Sequence, residues 1–102
     1  MPNKKFTRIL YKMSSGTTFY TDDPSFTEYM NTKYVQTGKC IHWRKIIDSS
    51  DYHVTFESLW LDSESFNEAF IDPELITNNM NFELYNYKNS IYVVETNLEI
   101  CD

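Results

Sequence analysis

Residues that break or cross-link a chain are few in this sequence: 2 Gly, 3 Pro and 2 Cys in 102 residues. So little Gly and Pro excludes a collagen-like, linker-like or disordered polypeptide. Two cysteines, Cys40 and Cys101, make no disulfide framework, and no CxxC or Cys/His spacing suits zinc. No window approaches the roughly 18 apolar residues of a membrane span. The opening Met1-Pro2-Asn3-Lys4-Lys5 also lacks the apolar core of a signal peptide. The expectation is a soluble, cytoplasmic protein of a reducing compartment, with no membrane partner.

Positive charge is scarce and uneven. Lys outnumbers Arg 7 to 2; residues 1–50 carry 8 Lys+Arg against 4 Asp+Glu, and residues 51–102 carry 1 against 11. The resulting net charge of −6 makes the chain acidic and disfavours a nucleic-acid partner. Neither half holds a run of five like charges, so the halves are expected to interleave in space and partly cancel each other's fields.

Aromatic residues are abundant, with 7 Phe, 8 Tyr and 2 Trp. They let one short domain, spanning residues 1–102, build a dense core, and a surplus can line a cavity or an interface. Phe6–Met13 alternates and predicts a strand. Asp23-Pro24 supplies an N-cap with Pro at the first helical position, and Ser25 with Glu28 offers a capping box nearby. Phe26, Tyr29, Met30 and Tyr34 then form a helical stripe, which Gly38 ends. Cys40–Ile47 and Tyr52–Leu61 predict a hairpin closed by Asp48-Ser49-Ser50-Asp51.

A second helix begins at Asp62 or Ser63 with the stripe Phe66, Ala69, Phe70. Asp72-Pro73 breaks it, and it resumes through Leu75, Ile76, Met80, Leu84 and Tyr85. Ile91–Ile100 predicts the last strand. Ser14-Ser15-Gly16-Thr17-Thr18 reads as a plain loop, and Tyr85-Asn86-Tyr87 as helix-end packing.

The order β-α-β-β-α-β predicts an α+β, ferredoxin-like domain with a four-stranded antiparallel sheet and two helices on one face. With sheet order 4-1-3-2, Cys40 and Cys101 sit on opposite edges, too far apart to bond. If Ile47 faces Tyr52, Trp43 and Phe56 pack beneath the helices. The bare face then carries His42, Arg44, His53, Thr55 and Glu57 beside Ile46, Leu59 and Leu61. Such a face calls for a cover, and a second copy of the chain is the simplest one.

Thr55–Pro73, with Trp60, Asp62, Phe66, Phe70, Asp72 and Pro73, resembles the third-strand and second-helix junction of dimeric α/β-barrel proteins. These include the antibiotic-biosynthesis-monooxygenase-like and stress-responsive barrel groups. The chain also looks like short dimeric ferredoxin-like proteins of marine viral and environmental sequence. The resemblance implies a homodimeric α/β barrel. Two departures argue against carrying over monooxygenase chemistry: Ser58 stands where the family has Glu, and Thr7, Arg8 and Ile9 replace a first-strand Asn.

His42 beside Glu57 has the make-up of a carboxylate-oriented imidazole, and Arg44 could hold an anion. Cross-strand polar pairing explains the same residues without chemistry. His42, His53 and Glu57 supply too few convergent ligands for a metal, and no motif asks for a cofactor. The leading expectation is therefore a homodimeric interaction or accessory module, with His42, Arg44, Thr55, Glu57 and His53 at the interface. The alternative is a small-molecule-binding or cofactor-free oxygenase- or isomerase-type barrel, with a cavity between sheet and helices or between subunits.

Overall fold

The computed structural model describes residues 3–100, apart from the side chains of residues 48 and 97–100. Cys101 therefore lies outside the described residues. In chain order the elements are β1 (Asn3–Tyr11), α1 (Pro24–Met30), β2 (Cys40–Ser49), β3 (His53–Trp60), α2 (Ser63–Phe70), α3 (Pro73–Lys88) and β4 (Tyr92–Ile100). The strands form one antiparallel sheet, ordered β4-β1-β3-β2 from edge to edge. Among the described residues there are three helices where the sequence predicts two.

The extra helix follows from Asp72-Pro73. Pro73 has no N–H for a continuing helix, and Asp72, extended at φ −68° and ψ 124°, restarts the chain as an N-cap whose carboxylate accepts from Glu74 N at 3.0 Å. Asp23 and Asp62 cap α1 and α2 in the same way, accepting from Ser25 N and Ser65 N. α1 runs on through a π-helical turn at Asn31–Val35, where Gln36 N donates to Asn31 O at 2.8 Å. Phe26, Met30 and Tyr34 stay on the buried side throughout. Gly38 ends this helix at φ 82°, a conformation that penalises any Cβ. Gly38→Ala is expected to cost about 1 kcal/mol in chemical denaturation, although no atom obstructs the added methyl.

All helices pack on the sheet face that bears Phe6, Leu10, Val54 and Trp60. One core cluster joins Phe6, Phe26, Met30, Tyr34, Cys40, Trp60 and Phe66; the other joins Leu10, Val54, Phe82 and Ile91. Burial pushes the Cys40 thiol up to about 12, which makes it a core residue and a poor nucleophile.

Asp72 also ties α1 to α3. Its Oδ2 accepts from Tyr34 Oη at 2.5 Å, Tyr29 Oη at 2.7 Å and Lys33 Nζ at 2.9 Å. Burial alone would raise this carboxyl, but the two phenols and the ammonium outweigh burial and hold it well below the usual carboxylate range.

α3 is rotated from the expected stripe. Leu75 is buried as expected, but Ile76, Met80 and Leu84 are 46%, 64% and 53% exposed, while Asn78, Phe82 and Asn86 face inward. The cause lies in the polar partners beneath the helix: Asn78 Nδ2 donates to Asp22 Oδ1 at 3.1 Å, and Asn79 Oδ1 accepts from Arg8 Nη2 at 2.6 Å.

The hairpin differs most. β2 is three residues longer than β3 over their paired length, and its register slips between Cys40 and His42, between His42 and Lys45, and between Ile46 and Asp48. The turn shortens to Ser50-Asp51-Tyr52, held by Ser50 N donating to His53 O at 2.7 Å. Between His42 opposite Leu59 and Lys45 opposite Glu57, the two residues Trp43 and Arg44 share one place opposite Ser58. This is a β-bulge, with Arg44 in the left-handed region at φ 56°.

Candidate functional site

The bulge sorts the expected interface residues onto two faces. His42 and Glu57 do meet on the open face, with His42 Nε2 2.8 Å from Glu57 Oε2 and Lys5 Nζ 3.6 Å from Oε1. His53 is on the same face but at the hairpin end, its Nδ1 2.8 Å from Ser50 Oγ and its ring beside Tyr11. Thr55 pairs across the strands with Ile9 and does not join the His42–Glu57 pair. Leu59 belongs to this open face by alternation, but Ile46, contrary to expectation, is opposite Phe56 on the helix side because the bulge shifts the register, and Leu61 follows the end of β3.

Arg44 is not on the open face, contrary to expectation. Because Trp43 and Arg44 occupy a bulge, both side chains project to the helix side, where the Arg44 Nε is 2.7 Å from Asp22 Oδ2 and Nη2 donates to Oδ1 at 3.3 Å. There Arg44 meets Arg8, the only other arginine of the chain. Arg8 lies between Phe6 and Leu10 on the buried side of β1, with Nε 3.3 Å from Glu95 Oε1 and Nη2 bonded to Asn79.

The two guanidiniums border a cleft of about 150 Å3 between the sheet and the helices. Its walls are largely apolar, with Phe6, Phe26, Trp43 and Leu75 prominent, and Asn78 and Asn79 adding amide groups. The rings also hold the cations: Phe82 lies 4.8 Å from the Arg8 guanidinium carbon and 5.6 Å from that of Arg44, and Trp43 lies 5.2 Å from Arg44. A guanidinium stacked on an aromatic face keeps its N–H edge available for planar acceptors.

The two ion pairs of the cleft are unequally buried. The Arg8, Arg44 and Asp22 side chains are only 11%, 17% and 11% exposed, whereas Glu95 is 44% exposed at the rim. Burial lowers both arginines from their ordinary value; Glu95 and Asp22 counter this, and the Arg44 charge adds to the lowering at Arg8. Both remain cationic at physiological pH. The buried Nε atoms sit at ion-pair distance from carboxylates without the alignment of a hydrogen bond, and the buried Trp43 Nε1 has no hydrogen-bond acceptor.

Arg8, Asp22, Asn78 and Asn79 were not anticipated as site residues. The period-two spacing Phe6, Arg8, Leu10 carried the signal for Arg8; nothing in the sequence marked the bulge. Among the described residues, no group of three or more His, Cys, Asp or Glu converges as metal ligands. Nor is any helix among them long and apolar enough to cross a membrane. No family model and no curated protein matches the chain.

Proposed function

We propose that the chain is a ferredoxin-like small-molecule-binding module whose ligand sits in the cleft between sheet and helices. The observation that carries this reading is the cleft itself, an apolar recess with a few polar groups, Arg8, Arg44 and Asn78, at its border. The split β-α-β arrangement and the edge-to-edge strand order support the architecture. A screen of single-ring fragments, followed by amide chemical-shift mapping, tests the reading. Binding fragments should perturb residues 6–8, 26, 43–44 and 75–80; fragments that perturb only the open face, or none that bind, would defeat it.

A second reading concerns the open face, where Tyr92 and Val94 of β4 are 68% and 38% exposed. Two copies would stack these faces as a dimeric α/β barrel, with His42 and Glu57 inside, leaving the cleft of each copy on the outer side. Sedimentation at micromolar concentration should give a dimer. Val94→Lys should shift it to monomer while the circular dichroism spectrum is retained; a wild-type monomer would remove this reading.

A further inference from the structure

Within the ligand-binding reading, on which this inference rests, the cleft also specifies what it binds. We infer that it takes a monoanionic carboxylate whose apolar part is about the size of one six-membered ring. Three observations converge. Two guanidiniums that are 11% and 17% exposed are met by one buried carboxylate, Asp22, and one half-exposed rim carboxylate, Glu95, so an entering monoanion can take the place of Glu95 on Arg8, whereas a dianion would bring a surplus negative charge. Each guanidinium has five N–H donors, whereas the acceptors described around them are Asp22 and Glu95 with the Asn79 amide oxygen. A carboxylate presents two parallel acceptors in the geometry that an arginine edge prefers.

Size and lining set the rest of the molecule. An apolar cavity of about 150 Å3 accommodates a benzene ring. Phe6, Phe26, Trp43 and Leu75 offer such a ring edge and face contacts, with no acceptor among their side chains to reward a polar body. His42 and Glu57, by contrast, already bond each other on the open face, and the recess that Glu57 lines has a volume of only about 20 Å3.

The test is titration of the full chain with benzoate, benzamide and acetate, by calorimetry and amide shift mapping. Benzamide keeps the ring and removes the charge, and acetate does the reverse. Benzoate is expected to bind with a dissociation constant between roughly ten micromolar and one millimolar, the range open to about nine heavy atoms. It should bind about 10- to 100-fold more tightly than benzamide, the ratio expected for charge-assisted hydrogen bonds, and at least about tenfold more tightly than acetate. Arg8→Gln should abolish the preference for benzoate over benzamide while leaving the amide spectrum folded.

Equal binding of benzoate and benzamide at the cleft would overturn the carboxylate assignment and leave the ligand-binding reading standing. Equal binding of acetate and benzoate would overturn the ring. If none of the three perturbs the cleft residues, the carboxylate assignment falls; the broader reading falls only if the fragment screen fails as well.

Discussion

Asp22→Asn is expected to destabilise the fold by about 3–5 kcal/mol in chemical denaturation, the cost of leaving a buried cation without its partner. Asp22 joins three parts of the molecule, since its carboxylate meets Arg44 of β2 and Asn78 of α3 from the loop just before α1. The asparagine keeps the volume and one acceptor but removes the charge. Arg8 and Arg44 then share the cleft with the rim carboxylate Glu95 and the more distant Glu83 alone among the described residues. A monoanionic ligand replaces part of what is lost. Benzoate should therefore raise the melting temperature of Asp22→Asn by more than it raises that of the wild type. At a benzoate concentration 100 times the wild-type dissociation constant, mass action adds about 2.7 kcal/mol to the wild type, and the variant, which binds more tightly, gains more at that same concentration. A substitution that costs less than about 1 kcal/mol would show that Arg44 is already compensated elsewhere.

Asp72→Ala is expected to cost about 3 kcal/mol. It removes the N-cap of α3, typically about 1 kcal/mol, and leaves the buried Tyr34 hydroxyl without its acceptor, about 1–3 kcal/mol more. The effect also has a pH signature. The folded-state carboxyl is held below its unfolded value, so its contribution is fully present above the unfolded value of about 3.9. That contribution is lost as pH falls toward the folded value. Wild-type stability should therefore decline on acidification below about pH 4, and Asp72→Asn, which cannot titrate, should flatten that decline. Urea denaturation at a series of pH values measures both effects; an unchanged acid limb in the variant would rule out the Asp72 linkage.

The parts of the fold that were legible in the sequence are those fixed by local chemistry. Asp23-Pro24, Asp62 and Asp72-Pro73 each announce a helix start, because a short carboxylate can reach an unpaired N–H only there, and the structure uses all three. The faces of β1 and β3 follow from alternation in the same way. The face of Arg44 was not legible. A bulge adds a residue without any local signal, and here its left-handed residue is an arginine where glycine would have given the position away. The rotation of α3 was hidden for a related reason. Hydrophobic periodicity puts Ile76 and Met80 inward and Asn78 outward, but the Asn78 amide answers Asp22, a residue far away in sequence. Polar partners across the cleft overrode the apolar stripe of the helix, which leaves Ile76 and Met80 at the wall of the cleft and Leu84 exposed.

The most direct measurement follows the two tryptophan indole N–H resonances during a benzoate titration of the wild-type protein. Trp43 lines the cleft, whereas Trp60 is fully buried with its Nε1 bonded to Ser58 Oγ at 3.1 Å. The Trp43 resonance should move in a saturable way, with the Trp60 resonance moving far less, and Arg8→Gln should suppress the movement. A Trp43 signal that stays fixed at saturating benzoate would contradict the placement of an anion beside the paired arginines.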